Sequence, residues 1–497
     1  MLDDVMTALD AVLPRLRAAT GTPGVAVAVA TSTELRTAAA GYADLAAGVP
    51  MTADTAAPAG SLSKPITGLA FLQLVEAGAV DLETPIDALL PAGLRGRDPA
   101  PVTAAMLAAH QGGYYPDTVA ATMTAPEPVA EFVRRRHGIG RALEYGGALP
   151  LLTAPGGYSY SSFGISVLGC AVEHATQEPF ADHVGRHVLA PAGMKASGFD
   201  DGTARSWTGE RATGYMAFGD WCVPSPPIRS SAYPGAGMQT SAADVGRLLQ
   251  SLLRTSRGEH GLVRPETLAT MVTPRVARGG PAGRRSFSGL TFELADPELG
   301  DSWWWGHSAA FLYGFWWDVR VWPKHDIAVV AVGNRWDMAR FHNPATRSAP
   351  GLAAEWVGRW ALSGAPGALP ADPGRARWTG PRPTSQTSRW VGAVVGERVH
   401  GLLSVADPLP AATLAAMTGG ARGLGDELSA ARDDGGGWDV EAFGRGVEEA
   451  RAVAPDPDAI AAFGRGLGPQ AGLWMLECGA STADMTMPID FFARPPA

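Results

Sequence analysis

The sequence predicts an α+β fold: an antiparallel sheet flanked by helices, a helical lobe beside it, and a small C-terminal α+β or β domain. Three observations predict it. Helical periodicity near the N-terminus gives way at once to strand patterning. Residues 301–335 read as strands again and are followed by a helix. Helical stretches separated by turns fill roughly 80–200. The two outer segments then meet in one sheet covered by the terminal helices, and the middle forms the lobe. The cleft between sheet and lobe is the expected site.

The elements follow in order. Val5, Leu9, Val12 and Leu16 recur at helical spacing over residues 2–18, and Gly21 and Pro23 end that helix. Residues 24–31 (GVAVAVAT) read as a strand, with 34–41 as its hairpin partner. A helix begins near Ser61 and runs to about Ala77, where Gly78 stops it; further helices are predicted over 240–254 and 351–361. Residues 1–362 therefore make the first domain. A Pro- and Gly-rich linker is expected over 363–385, and a small domain over 386–497.

Composition narrows the function. Hydrophobic residues at 46% supply a core, so 62 Gly and 40 Pro signify turns and not disorder. The net charge of −9 is spread along the chain, and no Lys/Arg-rich face marks a nucleic-acid partner. No apolar run of membrane-spanning length occurs. Cys170, Cys222 and Cys478 are sparse and far apart, which fits a reducing compartment and forms no metal cluster. Met1-Leu2-Asp3-Asp4 lacks the basic region of a signal peptide, so a cytoplasmic location is expected. No cofactor and no metal are expected. The partner is a small-molecule ester, thioester or peptide-like substrate, and the oligomeric state is left open.

Chemistry concentrates in AGSLSKPITGL, residues 59–69. Ser61 and Lys64, three residues apart at a helix start, share a face. A serine hydroxyl needs a neighbour to remove its proton, and a lysine in a partly dry cleft can do so. Pro65 is tolerated because first-turn amides lack intrahelical partners. Lys64 is otherwise expected to behave as a surface-facing helix lysine, dispensable for folding.

Two further segments are PGGYSYSSFG (155–164) and WGHSAA (305–310). With them the chain resembles the class C β-lactamase-like serine hydrolases, a β-lactamase/transpeptidase-like group that includes penicillin-binding proteins, D-aminopeptidases, esterases and acyltransferases. Ser61–Lys64 matches the S-x-x-K motif, Tyr160-Ser161-Ser162 the Y-x-N motif, and His307-Ser308-Ala309 the K-T-G or H-x-G motif. Minor segments match at Leu107 to Gly113, Pro191 to Met194, and Gly235 to Ser241 before Asp244. The resemblance implies that Ser61 is acylated, Lys64 takes its proton, Tyr160 shuttles a proton, and His307 lines the opposite wall and helps hold Tyr160 or the substrate. It implies an oxyanion hole from the backbone amides of Ser61 and Ala310. Ser162, Ser308, Ala309 and Trp305 are expected at the substrate.

Two departures tilt the expectation. Ser162 stands where amide-cleaving members carry Asn, and a shorter hydroxyl supplies less. Ala309 replaces Gly and adds a methyl where the substrate would approach. The first favours esters and the second bears on how efficient turnover is, with an amide- or thioester-active relative (a D-aminopeptidase or a nonribosomal-peptide cyclase) as the alternative and a non-catalytic binding protein as a third reading. Seven tryptophans lie between Trp303 and Trp336. Most are expected in the sheet core, with one or two lining the cleft for a bulky apolar group.

Other readings are weaker. Gly306 to Ala310 nearly spells a G-x-S-x-G nucleophile elbow, but FLYGFWWDV after it reads as strand where the elbow needs helix. Gly235-Ala236-Gly237 does not continue as a nucleotide fingerprint. His183 and His187, four apart on a helix, show no third metal ligand in sequence. His110 is expected to position the neighbouring loop.

Overall fold

Patterning at both ends of the chain builds one sheet from residues more than 300 apart. A computed structural model describes residues 2–94, 101–113, 129–130, 155–199, 207–218, 221–224, 232–278, 286–295, 303–311, 314–337 and 348–364. The linker and the small domain expected at 363–385 and 386–497 lie outside the described residues, apart from the first two linker positions.

The helices are α1 (Leu2–Thr20), α2 (Ser63–Glu76), α3 (Ala104–Ala108), α4 (Ser162–Thr176), α5 (Phe180–Val184), α6 (Tyr233–Ala236), α7 (Ala242–Ser256), α8 (Pro265–Met271) and α9 (Ala349–Ser363). The strands are β1 (Gly24–Ala30), β2 (Leu35–Asp44), β3 (Val49–Pro50), β4 (Ala57–Pro58), β5 (Gly198–Phe199), β6 (Tyr215–Phe218), β7 (Trp221–Pro224) and β8 (Met238–Thr240). They continue with β9 (Val276–Ala277), β10 (Ser286–Ser288), β11 (Glu293–Ala295), β12 (Trp304–Phe311), β13 (Phe315–Trp322), β14 (Ile327–Gly333) and β15 (Arg335–Asp337).

Among the described residues, nine strands form one antiparallel sheet in the order β3-β2-β1-β14-β13-β12-β11-β10-β9. The N-terminal β1 joins the C-terminal β14 with Val25 opposite Gly333 and Ala30 opposite Ala328. Alternation then sets the faces. Val25, Val27 and Val29 point to one side, where Leu9, Leu13 and Leu16 of α1 and Trp356 and Val357 of α9 cover them. Ala26, Ala28 and Ala30 point to the other side, into the core shared with the helical lobe. Small residues there admit a close helix. A Cβ added at Gly246 of α7 would stand 2.8 Å from the Ala28 Cβ.

The outer elements match the sequence reading, and the sheet is the expected one. The described middle is helical with turns between, as expected. Within 80–200, the described part alternates short 3₁₀ turns at Ile86–Leu89 and Ala92–Leu94 with α3, α4, α5 and a π-helical turn at Gly185–Leu189. Strands β9, β10 and β11 extend the sheet beyond β12 without having been predicted. Each is two or three residues long, too short for a period of two to register.

Candidate active site

Ser61 lies on a 3₁₀ turn, Gly60–Leu62, directly ahead of α2. Gly60 holds φ +53, a left-handed conformation that glycine adopts without strain. Ser63 fastens the turn on two sides: its Oγ donates to the Gly60 carbonyl at 2.7 Å and accepts from the Met238 N–H at 3.0 Å. The turn that carries Ser61 is thereby tied to β8.

One turn on, Lys64 points back beneath Ser61. It is fully buried, not surface-facing as the helix pattern suggested. Its Nζ donates to Ser61 Oγ at 3.0 Å, to Ser162 Oγ at 3.1 Å and to the Gly235 carbonyl at 2.8 Å. Tyr160 approaches from the other direction. Its hydroxyl donates to Ser61 Oγ at 2.7 Å, and the Lys64 amine lies 4.8 Å from its ring centroid. Burial pushes the Tyr160 phenol far above its usual range; the hydrogen bond to Ser61 only partly opposes this. Burial therefore favours the neutral phenol at Tyr160, a form able to donate a proton.

The motifs noticed in sequence hold these groups in place. Ser161 caps α4 by accepting from the Gly164 N–H, which starts the helix immediately after Tyr160. His110, at φ +59, accepts the Ser161 N–H on Nδ1 at 3.2 Å and lays its ring 4.4 Å from Tyr160. It does position the loop. Gly235 comes close to Ser162: a Cβ there would meet the Ser162 carbonyl oxygen at 2.7 Å. Asp244 accepts the Ala196 N–H and the Ser197 hydroxyl, each at 2.7 Å, and so joins α7 to the chain just after Met194.

The opposite side of the site is charged. His307, on β12, is buried, and its Nδ1 lies 2.6 Å from the Ser308 carbonyl and 3.9 Å from Glu293 Oε1. Glu293 Oε2 accepts from the Ser308 N–H and hydroxyl, both at 3.2 Å, and Oε1 pairs with Arg278 at 2.7 Å. Arg278 also donates to the Tyr158 hydroxyl at 3.1 Å. Burial pushes His307 down to about 4, with Lys64 and Arg278 acting in the same direction and Glu293 against it. Burial works against ionising Glu293, yet His307 and Arg278 hold its carboxyl well below the usual carboxylate range. Sequence reasoning missed Glu293, Arg278 and Tyr158. The first two stand on short strands or beside them, far from any motif. Tyr158 sits inside the PGGYSYSSFG segment but lacks a motif role.

The expected substrate residues are placed as follows. The Ser162 hydroxyl is turned to Lys64 and is buried. Trp305 is buried against Phe292, with ring centroids 4.9 Å apart, and Ala309 is buried in the same core. Those two side chains share a face of β12 with His307 and pack in the core on the lobe side. Ser308 is half-buried in mid-strand with its hydroxyl on Glu293, so the strand–turn–helix of an elbow is absent there. Ala310 lies two residues beyond Ser308 on β12, opposite Trp316 of β13. β12 packs against the turn that carries Ser61.

Outside this site, His183 and His187 stack at 4.4 Å, and Glu178 supplies the third ligand type that the sequence did not suggest. Arg186 already occupies the Glu178 carboxylate at 2.6 Å, and a bound cation would face that guanidinium. Burial pushes the Cys170 thiol up to about 12, which leaves it inert as a nucleophile.

A beta-lactamase family model matches residues 9–353. The chain belongs to the beta-lactamase family. Esterase EstB of Burkholderia gladioli is 31% identical over 301 residues, covering 55% of this chain and 71% of the esterase. Among solved structures, the octameric penicillin-binding protein homologue from Pyrococcus abyssi has a TM-score of 0.58 at 20% identity, over 73% of this chain and 79% of that one. The D-amino acid amidase from Ochrobactrum anthropi has a TM-score of 0.53 at 22% identity, over 67% and 92%. At such identities the structural likeness shows the fold. The family resemblance read from six short segments is therefore correct, and the chain is a beta-lactamase-fold serine hydrolase family member with an esterase relative. No described helix is long and apolar enough to cross a membrane.

Proposed function

We propose that the protein is a hydrolase or acyltransferase that takes carboxylic esters through an acyl-Ser61 intermediate. One observation carries the reading: Ser61 Oγ lies within hydrogen-bond distance of both a buried amine and a neutral phenol, Lys64 at 3.0 Å and Tyr160 at 2.7 Å. A lysine shut away from water loses its proton more readily than one in solvent. Lys64 removes the Ser61 proton as Oγ bonds to the ester carbonyl carbon, and the carbonyl electron pair moves onto oxygen. The backbone amides of Ser61 and Ala310 receive that oxyanion. On collapse the C–O bond to the alcohol breaks, and the departing oxygen takes the Tyr160 proton. Tyr160 is replenished from the Lys64 ammonium, whose nitrogen lies 4.8 Å from the Tyr160 ring centroid. Water or an acceptor alcohol then releases the acyl group by the same steps reversed.

The ester preference is supported by the esterase relative and by Ser162 in place of Asn. Esters carry a better leaving group, whereas an amide nitrogen must be protonated as it departs and needs closer placement. The test is intact mass after brief exposure to p-nitrophenyl acetate and butyrate, with kcat/KM on matched ester and amide substrates. Wild type is expected to gain one acyl group per chain, S61A none, and the ester to be preferred. Equal acylation of S61A, or amide turnover at or above the ester rate, would overturn the proposal.

A further inference from the structure

We infer that Glu293, anchored by Arg278, is a positioning residue that fixes His307 as its Nδ1–H tautomer and so keeps a bare Nε2 on the side of the site opposite Lys64. The inference deepens the acyl-Ser61 reading and rests on it for its catalytic consequence, but not for its geometry.

The argument starts from the Ser308 carbonyl. A carbonyl oxygen only accepts, and it lies 2.6 Å from His307 Nδ1, so Nδ1 carries the proton. With Nδ1 protonated and the ring neutral, Nε2 holds a lone pair. Ser308 is in turn held on the N-terminal side of that carbonyl by Glu293, whose Oε2 accepts both the Ser308 N–H and its hydroxyl at 3.2 Å. The second carboxylate oxygen, Oε1, takes the Arg278 guanidinium at 2.7 Å and stands 3.9 Å from Nδ1, where its charge favours the Nδ1–H form further. Arg278 is itself held by the Tyr158 hydroxyl at 3.1 Å. The chain of contacts runs Tyr158, Arg278, Glu293, Ser308, His307, and ends at a ring 6.4 Å from Tyr160.

The arrangement requires a carboxylate. Both Glu293 oxygens accept, one from a guanidinium and the other from two donors of Ser308. A glutamine has one accepting oxygen and one donating nitrogen. It satisfies Arg278 or Ser308 but sets a donor against the other. Glu293→Gln therefore changes shape little and frees one end of the chain of contacts. A neutral His307 with bare Nε2 can accept a hydrogen bond from an incoming alcohol or water, while the Tyr160 hydroxyl keeps its hydrogen bond to Ser61 Oγ. The Nε2–H tautomer would donate there instead and oppose proton delivery through Tyr160.

The experiment is long-range ¹H–¹⁵N correlation on histidine-labelled full-length protein, with H307Q assigning the His307 signals and thermal melts confirming folded E293Q. Wild type is expected to show Nδ1–H for His307 at pH 7. E293Q is expected to show a mixture of tautomers and about a tenfold fall in kcat on p-nitrophenyl butyrate, smaller than the loss of a general acid or base itself because Glu293 acts only through His307, with little change in KM. R278M, which frees the same carboxylate from the other end, should move the tautomer in the same direction and serves if E293Q does not fold. An Nε2–H tautomer in wild type, or a tautomer and kcat both unchanged in E293Q, would overturn the inference. Failure of the acyl-Ser61 reading would show separately, as absence of the acyl adduct, and leaves the tautomer measurement intact.

Discussion

The Ser61 side and the His307 side of the site hold their polar groups in opposite ways. On the first, the hydrogen bonds join an amine, three hydroxyls and a backbone carbonyl: Lys64, Ser61, Ser162, Tyr160 and Gly235. On the second, a carboxylate and a guanidinium pair at 2.7 Å and hold a backbone peptide and an imidazole. Hydroxyls and an amine can exchange roles as donor and acceptor, which suits a proton in transit. A buried ion pair cannot, because removing either partner strands the other charge. The difference separates the side where protons move from the side that stays fixed while they do.

The largest test of this contrast is K64M. The variant keeps the bulk of the side chain and removes the amine, and acylation is expected to fall by about 10²–10⁴-fold, the usual reach of a general base. The fold should survive better than in K64A, since the burial of Lys64 means that alanine leaves a cavity. Stopped-flow release of p-nitrophenol measures it, and acylation within about threefold of wild type would place the base elsewhere.

Y160F comes next. Loss of the phenol hydroxyl is expected to lower kcat about 10²-fold with smaller change in KM. Because burial keeps Tyr160 protonated, its ionisation should also contribute no alkaline limb to the pH–rate profile. An alkaline limb present in wild type and lost in Y160F would contradict that.

The first side was legible in sequence; of the second only His307 and Ser308 were, and the ion pair behind them was not, for a physical reason. Ser61 and Lys64 are one helical turn apart, and Tyr160 and Ser162 flank a helix cap, so local spacing reports their geometry. Glu293, Arg278 and His307 meet because β9 to β12 pair across the sheet, and β9 to β11 are too short to carry a readable period. The same limit explains Lys64. Periodicity placed it near Ser61, but the lobe that buries it comes from residues 162 and 235, about 100 and 170 positions away. Trp305 and Ala309 were assigned to the substrate because they neighbour His307 in sequence; the pleat does put them on the His307 face, and there they pack in the core.

The charged side also makes a pH prediction. His307 titrates at 6.5 when unfolded and near 4 when folded. Between these values the unfolded chain binds a proton that the folded chain refuses, so stability rises with pH there. The contribution is full above 6.5 and is lost as pH falls towards 4. His110, also pushed well below its usual range by burial, adds in the same direction. The Tm of wild type should therefore drop between pH 7.5 and 5, and H307Q should reduce that drop by a few degrees. An identical pH dependence in H307Q would mean that His307 is not held neutral.

Smaller effects sharpen the picture. S162N is expected to raise kcat/KM on amides relative to esters by about fivefold, the worth of one net hydrogen bond. An unchanged ratio would show that Ser162 serves Lys64 alone. A fragment ending at Gly364, which caps α9 at φ +69, should keep full esterase activity, because sheet, helices and both cores lie before it. Inactivity or insolubility of that fragment would make the rest of the chain part of the same folding unit.

The central claim is that Ser61 is the nucleophile, and fluorophosphonate labelling tests it most directly. The full-length protein is labelled and digested, and the adduct is mapped by mass spectrometry in wild type, S61A and S308A. The account predicts one adduct per chain on Ser61, retained in S308A and absent in S61A. Labelling that persists in S61A and disappears in S308A would contradict it and move the nucleophile to the β12 strand.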